Sequence, residues 1–386
     1  MKRTVALVLL LSVLLGGVSV FSKGLPQIES KSVILIEETS GAVLFEKNAD
    51  EKREIASVTK VMTALLLMEQ IDTGKIKYDD LITTSEYAEE MGGSQIFLET
   101  GEQMSVDDML KALMIASGND AAVAIAEHVS GTVEEFVDLM NKKAEELGMK
   151  NTHFANPNGL PSDDEPEYST ARDVAIMSRE LVANHPDITK YTTIWMDSLR
   201  NGEFALANTN KLLSPAINTG YDGATGLKTG FTSNAMHCLS ATAKRGDLGL
   251  VAVVLGGPTS DIRFSEAKDL LDYGFDNFVF KGKIKKGEDI KETSVIKGKS
   301  ETVMGVAKND FVILDNKNAK GEITKEIEID KDIKAPVEKG QKIGVMRIKK
   351  GDSVMGEVDI VSKDTVKHRN IFDVIKLFFQ KWMGVK

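Results

Sequence analysis

A serine hydroxyl attacks a carbonyl only when a base takes its proton, and a lysine serves as that base only when burial lowers its pKa. Ser57-Val58-Thr59-Lys60 supplies both groups. Residues three apart share a helix face, so Ser57 and Lys60 point the same way. The run Val58 to Met68 (VTKVMTALLLM) is apolar almost all round, which marks a helix buried at the centre of a domain and a desolvating setting for Lys60. Taken alone, a serine three residues before a lysine is usually a pair of surface residues.

Two further segments complete a possible site. Ser117-Gly118-Asn119, followed by Asp120, interrupts two apolar runs, Met109 to Ala116 and Ala121 to Ala126. Such a break is ordinarily just a loop. In a site, its hydroxyl can relay a proton between Lys60 and a leaving amine, and the Asn119 amide can orient the lysine and a substrate carbonyl. Lys228-Thr229-Gly230 falls on a predicted strand, Gly226 to Thr232. A strand at a cleft rim pairs with an extended peptide, Gly230 leaves room for close approach, and Lys228 with Thr229 suits a terminal carboxylate. On its own, this segment reads as an exposed strand.

The elements that must carry these residues are legible from periodicity. Ser32 to Glu37 (SVILIE) and Ala42 to Phe45 read as strands joined by Glu38-Thr39-Ser40-Gly41. Helical patterns follow through Val106 to Val129, Val133 to Leu147 and Ala171 to Ala183, with Gly131 as a stop. Leu227 to Thr232, His237 to Ala243 and Gly249 to Leu255 read as an antiparallel meander turning at Arg245-Gly246-Asp247, and Ser265 to Tyr273 as a closing helix. Strands that open and close a helical segment give an α+β fold, an antiparallel sheet with a helical cluster packed on it. From Val279 the texture changes to short strands (Thr302 to Ala307, Phe311 to Leu314, Lys342 to Ile348) between Lys/Gly turns, a small all-β domain.

Bulk properties narrow the function. The chain has 386 residues, and its net charge of -10 argues against nucleic acid as a partner. Cys238 is the single cysteine, so no internal disulfide forms; a buried structural thiol is the expected reading. The five histidines are scattered without zinc-ligand spacing, so no metal and no cofactor is expected. Lys2 and Arg3, the apolar run Val5 to Leu15 and the small residues near Ser22 read as a signal peptide cleaved after residue 22, rather than a retained anchor.

Together and in this order, the three segments form the combination found in class A β-lactamases and penicillin-binding proteins. The chain resembles the serine D-alanyl-D-alanine carboxypeptidases, the low-molecular-mass penicillin-binding proteins of peptidase family S11. The resemblance extends to Asn156-Pro157-Asn158-Gly159-Leu160, Tyr168-Ser169-Thr170-Ala171-Arg172-Asp173, Asn208-Thr209-Asn210, Asp222-Gly223 and Leu270-Leu271-Asp272-Tyr273-Gly274-Phe275. Ala335-Pro336-Val337-Glu338-Lys339-Gly340 resembles that family's all-β accessory domain.

The resemblance implies a β-lactamase/transpeptidase-like catalytic domain over 23–278 and an accessory domain over 279–362. It implies a two-step acyl transfer on peptidoglycan stem pentapeptides, with β-lactams as covalent inhibitors. Ser57 would attack the penultimate D-alanine carbonyl with Lys60 as base, and Ser117 and Asn119 would relay and position. The N–H groups of Ser57 and Phe231 would form the oxyanion hole, and Arg263 would help Lys228, Thr229 and Gly230 hold the carboxylate. Two departures stand out: Glu167 where the family often has histidine, and Ala235-Met236 where it often has Ala-Gly. The rivals are a β-lactamase, for which Glu165 or Glu167 is a conceivable water-activating carboxylate, and an inactive peptidoglycan-binding protein, against which the intact motifs argue.

The remaining residues, 363–386, read as an amphipathic anchor. Ile371, Phe372, Val374, Ile375, Phe378, Phe379, Trp382 and Met383 form a stripe flanked by Lys367, Arg369, Lys376, Lys381 and Lys386. Such a helix lies in a membrane interface, here at the outer face of the cytoplasmic membrane, and is too short and charged to span it. The competing reading is a helix docked on the β domain.

Overall fold

The structure, a computed structural model, describes residues 25–161, 165–216 and 219–375. The expected signal peptide and the end of the expected anchor lie outside the described residues.

The chain opens with a hairpin, β1 (Ser32–Glu37) and β2 (Val43–Lys47). The Glu37 carboxylate accepts from the N–H groups of Thr39 and Ser40 and closes the turn that Gly41 completes at φ +73°. A 3-10 turn, Ala56–Thr59, runs directly into α1 (Lys60–Asp72), whose first nine residues are all buried. A short ribbon and two short helices follow: β3 (Leu81–Thr83), α2 (Glu86–Glu89), β4 (Gln103–Ser105) and α3 (Val106–Lys111). Next come α4 (Asn119–Ser130), α5 (Val133–Glu146), α6 (Ala171–Asn184), α7 (Thr189–Thr192) and a second ribbon, β5 (Met196–Leu199) with β6 (Phe204–Ala207). The meander β7 (Ala224–Thr232), β8 (Met236–Arg245) and β9 (Leu248–Gly257) leads into α8 (Ser260–Asn277).

The main sheet has the order β2-β1-β9-β8-β7, antiparallel throughout. It is assembled from both ends of the segment, as the strand pattern implies. Alternate residues of β1 and β9 enter opposite cores. Ile34, Ile36, Val251 and Val253 join the helical cluster around α1, whereas Val33, Leu35, Leu250 and Ala252 pack on Phe264, Leu270 and Leu271 of α8. Both faces are covered, which is why β1 and β9 read as unbroken apolar runs. Helix starts carry their own signals: Thr132, Thr170 and Thr259 each accept an N–H from the residue three positions on.

The break expected at Ser117-Gly118-Asn119 divides the helical pattern over Val106 to Val129. Helix α3 passes into a π-helical turn, Ala112–Ala116, and the chain reverses at Ser117, φ 62°, before α4 begins. π-helical turns are frequent at functional sites, and here one delivers Ser117-Gly118-Asn119.

After α8, β10 (Phe278–Ile284) pairs with β13 (Phe311–Asn316), and β11 (Asp289–Ser294), β12 (Thr302–Ala307), β14 (Ile323–Ile329), β15 (Lys342–Lys350) and β16 (Ser353–Ser362) form a sheet of order β11-β12-β16-β15-β14. This region has a core of its own that includes Ile284, Val337, Ile348, Ile360 and Val366. The tail differs from the expected helix over 363–386. Val366 bridges Val337 and is 4% exposed, His368 bridges Gly298, and helical turns begin only at 371. The apolar Val366 fills the β core, so the preceding segment stays extended. Asn370 and Asp373 then cap the new helix reciprocally, each side chain accepting the other's N–H at 2.8 and 3.0 Å.

Candidate active site

Ser57 and Lys60 face one another at the junction of the 3-10 turn and α1. Lys60 is fully buried, and its Nζ lies 2.9 Å from Ser57 Oγ, 2.6 Å from Asn119 Oδ1 and 2.6 Å from the carbonyl oxygen of Asn158. Burial holds its pKa well below the usual lysine range. Lys228 pushes it the same way, while Glu167 and Asp120 oppose. A neutral amine has two N–H donors and one lone pair. With the donors spent on Asn119 and Asn158, the lone pair faces the Ser57 hydroxyl, the arrangement a general base requires.

The left-handed turn at Ser117 leads into Asn119, whose side chain contacts Lys60. The Ser117 Oγ is buried and has no hydrogen-bond partner among the described residues, which leaves the hydroxyl uncommitted to structure. Asn119 is locked from behind: its Nδ2 donates to Gly92 O at 2.6 Å and its main-chain N–H to Ser94 O at 2.7 Å. Asp120, 1% exposed, accepts from the N–H groups of Ile96 and Leu98, so it holds the loop that holds Asn119.

β7 forms the other wall. Lys228 is 1% exposed and donates to Thr229 O at 3.1 Å; burial, aided by the Arg263 charge, lowers its pKa to about 7. Thr229 Oγ1 meets Thr209 Oγ1 at 2.6 Å, and Asn210 Nδ2 donates to Gly226 O at 2.8 Å, so the Asn208-Thr209-Asn210 segment buttresses the strand. Phe231 is 60% exposed and stacks on His237 with centroids 4.5 Å apart.

Two expected binding residues also engage the protein's own main chain. Gly230 was expected to make room for substrate, but a Cβ there would meet Ile55 O at 2.6 Å and Ser57 N at 3.1 Å. The enzyme's own nucleophile turn already packs against that face. Arg263, expected to help hold the substrate carboxylate, donates from Nη1 to Gly230 O at 3.0 Å and Cys238 O at 3.1 Å, and the residue is 7% exposed. It ties β7 to β8 and adds positive charge behind Lys228. Cys238 is fully buried and its thiol is pushed up to about 11 by burial, so it is not a nucleophile at neutral pH.

Sequence reasoning named the segment around Asn158 without giving it a role. Asn156 Oδ1 accepts from the N–H groups of Asn158 and Gly159, which turns the Asn158 carbonyl onto Lys60. Gly159, φ +80°, lies so close to the nucleophile turn that a Cβ would come within 2.1 Å of Ala56 O. Among the described residues no cluster of His, Cys, Asp and Glu is arranged to hold a metal.

Comparison with known proteins agrees with this geometry. The family model described as D-alanyl-D-alanine carboxypeptidase matches residues 19–259, and that of the penicillin-binding protein 5 C-terminal domain matches residues 281–368. The D-alanyl-D-alanine carboxypeptidase DacF of Bacillus subtilis (strain 168) is 42% identical over 362 residues, 93% of this chain and 91% of the relative. DacA of Escherichia coli (strain K12) is 33% identical over 376 residues, 94% of this chain and 90% of the relative. The crystal structure of penicillin binding protein 5 from Haemophilus influenzae superposes with a TM-score of 0.81 at 34% identity, covering 89% of this chain and 99% of that one. A serine–lysine pair of this geometry, carried on that fold and matched over most of both chains, leaves one assignment: the chain belongs to the D-alanyl-D-alanine carboxypeptidases of peptidase family S11.

Proposed function

We propose that this carboxypeptidase removes the terminal D-alanine of peptidoglycan stem pentapeptides through an acyl-enzyme on Ser57. The observation that carries the reading is the Lys60 amine, buried, low in pKa and 2.9 Å from Ser57 Oγ. Lys60 takes the Ser57 proton as Oγ bonds to the penultimate carbonyl carbon. The N–H groups of Ser57 and Phe231 receive the developing oxyanion. Ser117 Oγ passes the proton to the leaving D-alanine amine, which breaks the peptide bond, and water then releases the shortened peptide. Lys228 and Thr229 bind the terminal carboxylate, and Arg263 reinforces the field there. β-Lactams carry a carboxylate and a strained amide in the same relation and acylate the same serine.

The pH dependence of D-alanine release tests this assignment. Lys60 must be neutral, so kcat/KM falls as pH drops through its lowered pKa. Lys228 must be charged to hold a carboxylate, and in the free enzyme it loses its proton near 7. kcat/KM therefore declines above that value, while kcat, which reports the substrate-bound enzyme, holds to higher pH. Lys228→Arg keeps its charge and removes the alkaline limb. An alkaline limb unchanged in that variant assigns it to another group.

The proposal extends to location. The segment 1–22 acts as an export signal, and the helix from 371 holds the enzyme on the outer face of the cytoplasmic membrane. Ile371, Phe372, Val374 and Ile375 are 67, 78, 47 and 47% exposed, which disfavours docking on the β domain. No helix among the described residues is long and apolar enough to cross a membrane. A chain ending at Asn370 keeps Val366 in the β core, so it is expected to remain folded, leave anionic vesicles and still release D-alanine. Phe372→Glu with Ile375→Glu in the full chain detaches it equally. Burying such a stripe contributes several kcal/mol at about 25 cal/mol per Å², and neighbouring lysines add attraction to anionic lipid. If the shortened chain still pellets with vesicles, the anchor is elsewhere.

A further inference from the structure

Hydrolysis of the acyl-enzyme needs a base for the incoming water, and the residues described so far all serve the first half of the reaction. A cavity of about 190 Å³ lies against the nucleophile turn, lined by Ala56, Gly159, Leu160, Pro166, Glu167 and Asn234. One water occupies about 30 Å³, so the space holds several. Gly159 in its wall sits close enough to the turn that a Cβ would be 3.0 Å from Ser57 N. Glu167 is one of the residues lining this cavity. Its Oε1 accepts from the Thr59 hydroxyl, one residue before Lys60. Its Oε2 is shut off from solvent and has no partner among the described residues. A buried carboxyl with an unsatisfied oxygen costs stability, and neither the fold nor the acylation chemistry uses it.

We propose that Glu167 is the base that activates water for hydrolysis of the acyl-enzyme. The inference rests on Ser57 being the acylated residue. In the free enzyme the Lys60–Glu167 pair carries one proton, on Glu167. In the acyl-enzyme the Ser57 hydroxyl no longer faces Lys60, and the shared proton moves to the amine. Water then bonds to the acyl carbon as its proton passes to the Glu167 carboxylate. The bond from the acyl carbon to Ser57 Oγ breaks, and Oγ takes a proton from Lys60. The pair returns to its starting state with one proton, so atoms and charge balance.

The surrounding charges fit a base that works near neutrality. Burial pushes the Glu167 carboxyl up to about 8; the Thr59 hydroxyl and Lys60 pull it down, and Glu54 pushes it up. Glu54 is itself engaged by Asn234 at 3.2 Å. On the loop of Glu167, His153 and Glu165 pair at 2.5 Å and Lys52 lies over the Tyr168 ring at 4.1 Å. Lys228 from β7 and Asp120 from α4 act on the Lys60 end. Such interacting groups titrate as a unit, so the limb observed belongs to the pair.

The test uses the full chain carrying Glu167→Gln. Formation of the Ser57 adduct with fluorescent penicillin is followed first, then its decay after a chase, and finally adduct accumulation during turnover of a stem pentapeptide by mass spectrometry. The expected result is adduct formation within about twofold of the parent, decay slowed roughly 100-fold or more, and a peptidyl adduct on Ser57 during turnover. Glu167→His supplies a base of different intrinsic pKa, recovers part of the decay rate and moves its acid limb. Decay at the parent rate in the Gln variant overturns the proposal, as does equal slowing of formation and decay, which assigns Glu167 to tuning Lys60. Label on another serine overturns the Ser57 reading instead. If the Gln variant does not fold, the His variant decides, and an acid limb that stays in place overturns the proposal.

Discussion

Ser57→Ala is expected to abolish fluorescent-penicillin labelling and to lower D-alanine release on the order of 10⁴-fold or more, the scale seen when a hydroxyl nucleophile is removed. Among the described residues, Ser57 supplies the hydroxyl within hydrogen-bond distance of Lys60 Nζ. Ser117 is the nearest rival in type and burial, but its Oγ makes no hydrogen bond to Lys60, whereas Ser57 Oγ lies 2.9 Å from Nζ. Removing one partly buried hydroxyl leaves the 3-10 turn and α1 intact, so Tm should stay near that of the parent. Proteolysis of the labelled parent and mapping of the adduct give the direct check. A label on Ser117, or on any serine other than Ser57, rejects the mechanism.

Lys60→Arg is expected to slow acylation by roughly 10²- to 10⁴-fold, the usual contribution of a positioned general base. Arginine stays protonated under all accessible conditions, so it has no lone pair for the Ser57 proton. Its larger cation also enters a site where Lys60 is fully buried and surrounded by Ser57, Asn119 and Asn158. Lys60→Met keeps chain length without charge and separates these effects. Both variants should lose acylation and some stability, the arginine variant through its bulk and buried charge and the methionine variant through the unpaired acceptors of Asn119 and Asn158. Near-parental acylation in either variant, when folded by circular dichroism, eliminates Lys60 as the base. Thermal melts and penicillin-binding rates measured on the same samples make the distinction.

The two substitutions also separate the halves of the reaction. Loss of Ser57 prevents the adduct and loss of Lys60 slows its formation, whereas loss of Glu167 is expected to leave an adduct that persists. The same proteins and the same fluorescent probe therefore report on both steps.

Much of this molecule is written locally. The strand Ser32–Glu37 and the strand Thr302–Ala307 are read from side-chain alternation and apolar runs with the bounds the structure has. The buried helix after Ser57 is announced by a sequence without a polar face, and the pairing of Ser57 with Lys60 follows from helix period alone. The tetrad Ser117 to Asp120 declares itself as a break, although its geometry, a π-helical turn and a residue at φ 62°, leaves no periodic trace.

Tertiary structure decided the rest, because the groups concerned act across the fold or through main-chain atoms. Asn158 contributes a carbonyl oxygen, which every residue type possesses, so no side-chain signal marks it. Glu167 stands out in the sequence as a departure from the family and a conceivable water-activating carboxylate, but its burial arises only when the loop packs on Thr59, 108 positions away in the chain. Gly230 and Gly159 read as turn or strand glycines, and only the assembled sheet shows that both make room for the backbone around Ser57. Arg263 reads from the sequence as a lone charge, and only the assembled sheet shows helix α8 presenting it to the carbonyls of Gly230 and Cys238. The sequence by itself determined the residue types, the local elements and the family of chemistry, since those depend on neighbours within one or two turns. The desolvation that makes Lys60 a base and Glu167 a candidate partner was settled only by packing, since burial belongs to the assembled core rather than to any segment.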